Sequence, residues 1–355
     1  MTVRASRWLI VLAAVCFGTT GTAQALGALG GAEASATSLG AARIVFGGAL
    51  LAILAFAVAL AERRRRSVAA GRDGERGRDG EPDGDRGRDG ERDSERDGDR
   101  DHDHDSVRGS GRARSRPRGS SVALVLLGAA GVAAYPPAFV TGTAQNGVAV
   151  GTLVALGSAP VLTGLLEWGW YRRPPGIRWA CATFVAATGV AALSGLFSGG
   201  GGPVTVLGIA GSLGAAGSYA VYTLSTKLLL DRGWAPAAAM GATFGAAAVL
   251  MLPVLLASNP AWLAQPAGLA TAAWLAIVAT ALAYTLFARG LRGLSASQVS
   301  TLTLVEPVTA TALGVFVLHE DFTPATVVGV ALLVAGLGIL TMNRRAAGAP
   351  TGTLS

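Results

Sequence analysis

A hydrocarbon layer about 30 Å thick is crossed by about 20 apolar residues at 1.5 Å rise each. This 355-residue chain carries ten such runs, at 8–28, 40–61, 121–141, 148–168, 179–197, 204–225, 236–257, 268–288, 296–318 and 325–342. Its 51% hydrophobic residues and mean hydropathy of +0.47 fit a membrane-embedded chain better than a water-soluble globule. The expected fold is therefore an all-α integral membrane protein with ten transmembrane helices.

The formal charge of +7 resembles a nucleic-acid footprint, but the charge is concentrated in one segment. Residues 62–120 hold 17 of the 29 Lys+Arg and 16 of the 22 Asp+Glu, which leaves no basic face and no expected nucleic-acid partner. Arg4 and Arg7 put the N-terminus on the cytoplasmic side. The inward segments are then 62–120, "YRRPPGIR", "KLLLDRG", "ARGLRG" and the tail "NRR", all basic, whereas the outward loops carry only Glu33, His319, Glu320 and Asp321. Both termini should be cytoplasmic, and one missed span would scramble the pattern. Arg43 alone does not fit it.

The 62–120 insert alternates Arg, Asp, Glu and Gly with almost nothing to bury, so it is expected to be a disordered cytoplasmic spacer. Arg63 to Arg66 with the Arg112 to Arg118 cluster read as a lipid tether, and His102 and His104 as a metal tract. Both are weaker readings, because the insert nets only about one positive charge. Cys16 and Cys181 lie far apart in apolar runs and suggest no disulfide. No metal site and no cofactor is expected. Arg4, Arg7, the following apolar run and "TAQA" imitate a secretory signal.

Internal repetition argues against that signal. An offset of 147 places "ALGSAPVLTGLL" (155–166) on "LTLVEPVTATAL" (302–313), Pro160 on Pro307 and Gly189 on Gly336. A second offset places "CFGTTGT" (16–22) on "SLGAAGS" (212–218), Gly18 and Gly21 on Gly214 and Gly217. Cleaving the first span would orphan its partner. Five spans match five, and five is odd, so equivalent spans run in opposite senses: two inverted five-helix repeats, which implies alternating access to a midplane site. The first repeat comprises residues 1–61 and 121–197 around the insert, the second residues 204–343, with a cytoplasmic tail at 344–355. There is no Walker-type lysine loop, so a gradient must drive any transport.

Pro307 has no N–H, frees the carbonyl of Thr303 and should kink the ninth span; Pro160 should do the same at Leu156. Glu306, at mid-span, costs at least about 2.5 kcal/mol to insert and is a functional candidate by default. It can bind a substrate amine, take up a proton or pair with Arg43, which can instead snorkel outward. Other polar residues at depth are Thr19, Thr20, Thr22 and Gln24, then Ser218, Tyr219, Tyr222 and Thr223, then Gln298, Thr301 and Thr303, with Tyr135 and Tyr284 as repeat equivalents. Singly, most such groups satisfy helix carbonyls. The expected substrate or ion site is Glu306, Tyr284, Tyr135, Tyr222, Thr303, Gln24, Thr20 and Arg43, with Pro160, Pro307, Gly18, Gly21, Gly214 and Gly217 shaping the helices. Gly329 and Gly336 mark a close-packing or homodimer face.

At "LVEPVTATALGVFVLHEDFTPATVVGVALLVAGLGIL" (304–340), and again at "CFGTTGTAQAL" and "ARIVFGGALLAIL", the chain resembles the EamA-type transporters of the drug/metabolite transporter superfamily. The resemblance covers all ten spans and excludes the insert. It implies a cytoplasmic-membrane carrier of small metabolites, often an exporter of amino-acid-like compounds or drugs, with Glu306 and Pro307 in its motif and Glu320 closing it. The first repeat departs from the pattern: its fourth span should end in an acidic residue, but the offset puts Arg173 there and Glu167 six positions earlier. The rival readings are an importer of the same fold and a non-transporting scaffold or sensor. An enzyme is not expected, since His319 is the one histidine in the repeats.

Overall fold

The computed structural model describes residues 2–78, 118–193, 204–319 and 323–342. Among these residues no strand occurs, as expected where hydrocarbon offers backbone groups no partner outside their own segment. The helices run α1 (Val3–Leu29), α2 (Ala36–Arg78), α3 (Arg118–Tyr171), α4 (Ile177–Leu193), α5 (Val206–Asp231), α6 (Pro236–Ala257), α7 (Pro266–Ala276), α8 (Ala283–Leu291), α9 (Ala296–Leu302), α10 (Val305–Val317) and α11 (Pro324–Thr341). A 3-10 turn, Pro260–Ala264, precedes α7, and a π-helical segment, Ile277–Leu282, joins α7 to α8.

Seven helical stretches among the described residues are long and apolar enough to cross a membrane. One of them, Ser120–Tyr171, is 52 residues long and holds a break at Gly147, whose φ of 76° and ψ of 159° are not helical. A Cβ added to Gly151 would lie 2.7 Å from the Cα of Thr143, eight residues away. A straight helix would separate such residues by about 12 Å, so α3 doubles back at Gly147. Beyond the seven, α4 is a shorter apolar helix of 17 residues, and α5 has 26. At the expected kink before Pro307 the regular helix gives way to a two-residue turn: α9 ends at Leu302 and α10 starts at Val305. At Pro160, by contrast, α3 stays helical.

Helix α2 continues to Arg78, into the charged segment. Arg, Glu and Ala favour helix, and a helix already formed in the membrane extends without a new nucleus. Residues 79–117, with His102, His104 and most of the Arg112 to Arg118 cluster, lie outside the described residues, as do Glu320, Asp321 and the tail.

Small residues let the helices approach closely, the packing that hydrocarbon surroundings favour. A Cβ on Gly48 would lie 2.4 Å from the carbonyl of Phe244 and 3.1 Å from Ala248, and one on Gly241 would lie 2.9 Å from the carbonyl of Leu51 and 2.4 Å from Ala55. The α2–α6 contacts are thus reciprocal under a shift of 193 residues. Likewise Gly189 meets Gly329 and Leu333, while Gly336 meets Ala182 and Ala186, a reciprocal α4–α11 contact under a shift of 147. Both pairs are antiparallel, since positions rise on one helix as they fall on the other. The Gly329 and Gly336 face is occupied by α4, within the chain.

Hydrogen bonds identify the ends of the bundle. Arg7 donates to the carbonyl of Thr341 at 2.8 Å, Lys227 to that of Leu291 at 3.4 Å, and Tyr171 to Asp231. These contacts gather Arg172, Arg173, Arg178, Arg232, Arg289 and Arg292 at the end that holds the start of α1. Glu33 and His319 sit at the other end. The main core joins α1, α2, α3, α5, α6, α7, α8 and α9, and a smaller one around Ala186, Val190, Leu304 and Leu333 joins α4 to α10 and α11.

Gly189→Val should therefore destabilise the purified protein by about 1–3 kcal/mol, because the added atoms meet the Leu333 backbone. Gly21→Ala, with nothing within 4 Å of its Cβ, should leave the thermal midpoint unchanged. Thermal unfolding of the two variants side by side checks both.

Candidate functional site

Glu306 is placed by the break before it. Pro307 cannot donate to the carbonyl of Thr303, which accepts the N–H of Glu306 at 2.9 Å instead. The carbonyl is satisfied, the chain bends, and Glu306 sits half-buried in the first turn of α10. Helix α1 crosses there: a Cβ on Gly18 would lie 2.5 Å from Thr309 and 2.7 Å from the carbonyl of Glu306. Only glycine permits that approach.

Arg43, from α2, is held within the bundle. Its Nε donates to the Thr280 hydroxyl at 3.3 Å and its Nη2 to the Ala279 carbonyl at 3.0 Å, and its guanidinium lies 5.9 Å from the centre of the Phe17 ring. Both hydrogen-bond partners belong to the π-helical segment, where Thr280 also donates to the carbonyl of Leu275 at 2.8 Å. A π turn displaces carbonyls from the regular ladder and leaves them open to side chains. Arg43 and Glu306 feel each other's charge but form no ion pair within 4 Å.

Four tyrosines complete the cluster. Tyr219 and Tyr222 come from α5, Tyr284 from α8 and Tyr135 from α3. The Tyr219 hydroxyl meets that of Thr303 at 3.0 Å, and the Tyr222 and Tyr284 hydroxyls stand 3.4 Å apart. Tyr284 is wedged between Phe17 and Phe244, with ring centroids 4.8 and 4.1 Å away. Tyr135 stacks on Phe139 at 5.8 Å and lies within electrostatic reach of Glu306, Arg43, Tyr219 and Tyr284. One carboxylate, one guanidinium and four phenols thus converge from five helices on one place. Such a set can hold a cation, an anion and an aromatic or apolar body together.

Of the residues expected at the site, Glu306, Arg43, Tyr135, Tyr222, Tyr284 and Thr303 are brought together. Thr20 instead donates to the carbonyl of Phe17 at 2.6 Å, within its own helix. Gln24 lines a cavity of about 440 Å³ at the far end of α1 with Glu33, Ser35 and Trp262. Of the paired glycines, Gly18 is tightly packed, Gly214 has only the Ala138 Cβ at 3.6 Å, and Gly21 and Gly217 have nothing within 4 Å. Tyr219 joins the site although the expected set omits it: it lies one turn before Tyr222 on the same helix, and its spacing carries no separate signal. An apolar segment likewise cannot reveal the π turn that anchors Arg43. Glu167, out of register in the repeat, holds the start of α9 with its carboxylate.

The sequence profile of the EamA-like transporter family matches residues 206–342. The Uncharacterized transporter YwfM of Bacillus subtilis (strain 168) is 39% identical over 223 residues, which are 62% of this chain and 74% of that protein. A crystal structure of a protein 17% identical to the chain superposes with a TM-score of 0.66 over 95% of this chain and 96% of the other, a likeness of fold alone. The chain therefore belongs to the EamA-like transporter family and is a multi-pass, all-helical membrane transporter.

Proposed function

We propose that the chain is a secondary transporter that exports a small amino-acid-like metabolite across the cytoplasmic membrane by alternating access. The observation that carries this reading is the convergence of Glu306, Arg43 and the tyrosines at mid-depth. An ammonium group would bind Glu306, a carboxylate would bind the Nη1 side of Arg43, and the phenols would take the remaining body. Glu306 is also the group through which a proton would be coupled.

The fold of this reading is ten crossings in two inverted repeats, 1–61 with 121–197 and 204–343, both termini cytoplasmic. The doubling of α3 at Gly147 supports the count. The reciprocal, antiparallel contacts of α2 with α6 and of α4 with α11 support the inversion, because a two-fold axis in the membrane plane relates equivalent helices in that way. The arginine-rich end supports the orientation.

Cells overproducing the wild-type chain should enrich one small metabolite in the medium, and Glu306→Gln at equal membrane level should reduce that enrichment to background. Untargeted comparison of medium and cytoplasm checks this; an equal shift with both chains would make Glu306 structural, and no shift at all would favour a scaffold. Arg43→Lys should lower the same export about tenfold at unchanged expression, since an ammonium loses the fork that reaches Thr280 and Ala279 together. Initial export rates measure it.

A further inference from the structure

We propose that Glu167 latches the two halves of the transporter shut at their arginine-rich end, an inference that rests on the alternating-access reading. Glu167 lies near the end of α3, in the first half. Its two carboxylate oxygens accept the N–H groups of Ala296 at 3.0 Å and Ser297 at 2.8 Å, where α9 of the second half begins. Beside them the Trp179 indole donates to the Ser297 carbonyl at 3.1 Å, and the Thr183 and Thr301 hydroxyls meet at 3.0 Å. Four hydrogen bonds thus tie α3 and α4 to α9, two of them charge-assisted and about twice as strong as neutral ones.

The repeat gives the opposite end no counterpart. The 147-residue shift takes Glu167 to Gly314 and takes Ala296 and Ser297 to Ala149 and Val150, so no carboxylate stands where the repeat would put one. Helix α3 packs on α9 and hardly meets α10. Two cavities open at that end, the one beside Gln24 and one of about 600 Å³ between the ends of α1 and α10, bounded by Leu26, Leu29, Leu318 and His319. Gly18 is pressed on α10, while its repeat partner Gly214 touches only Ala138. Two halves of like fold are therefore held in unlike positions, closed where Glu167 acts and parted where Gly314 replaces it.

The latch also lies on the way to the site. Thr303, which meets Tyr219, follows directly on α9. Opening the arginine-rich end requires α9 to leave α3 and α4, which hands the two N–H groups and the carboxylate to water.

The test uses the full chain, purified in detergent, with Cys16 and Cys181 replaced by alanine. One reporter is Thr301→Cys, at a position fully buried in the α4–α9 contact; the other is Gln24→Cys at the far end. With N-ethylmaleimide as probe, Glu167→Ala should raise the labelling rate of Thr301→Cys about tenfold, the population shift expected for loss of a charge-assisted contact. Trp179→Phe, which keeps an aromatic ring and loses one donor, should raise it less. Should Glu167→Ala fail to fold, Glu167→Gln carries the same expectation. Unchanged labelling of Thr301→Cys overturns the latch. A rise there with a matching fall at Gln24→Cys supports latch and alternating access together. A rise without that fall keeps the latch and overturns the coupling of the two ends.

Discussion

Every backbone N–H and C=O inside hydrocarbon must find a partner within the protein, and most of this structure follows from that constraint. It makes the chain helical, and it makes each interruption of a helix informative. Two of the interruptions lie where the polar side chains gather. Glu306 follows the turn between α9 and α10 and precedes Pro307, and Tyr284 follows the π-helical segment that receives Arg43. Carbonyls released from the regular ladder are claimed locally: Glu306 N–H takes that of Thr303, and Arg43 takes that of Ala279.

The helices themselves meet with little help from the hydrophobic effect, because lipid is as apolar as they are. Contact comes from removing side chains. Gly48 and Gly241 open α2 to α6, Gly189, Gly329 and Gly336 open α4 to α11, and Gly18 opens α1 to α10. The first two interfaces repeat themselves across the chain and the third does not, since Gly214 has no equally close neighbour. Interfaces between equivalent helices can stay fixed while a transporter works; an interface present in only one half is where the halves differ.

Much of this is legible in the residues alone. Hydropathy with glycine and proline punctuation places the helices, and Pro307 locates the α9–α10 break because a missing N–H acts on its own turn. Glu306 and Arg43 stand out because charge at depth is costly. The same logic does not separate Gln24, which lines a cavity at the far end of α1, or Thr20, whose hydroxyl is taken up by its own helix, from the residues that converge on Glu306. Periodicity does not say which face of a helix meets which neighbour. The partners of Arg43, the role of Tyr219 beside Thr303 and the reach of Glu167 to α9 join positions from 84 to 237 residues apart, and no local signal encodes them.

The separation of Glu306 from Arg43 bears on how such a site can bind and release. A direct ion pair in a low-dielectric interior would satisfy both charges, and a ligand would have to break it before binding either. Here the guanidinium is tethered to Thr280 and Ala279, both neutral groups, and not to the carboxylate. The two charges are not paired, and each keeps hydrogen-bonding capacity uncommitted. In the transport cycle we propose, a zwitterion entering between them would complete both without displacing an existing pair. A carrier that must let go on the far side is served by that arrangement better than by a tighter one.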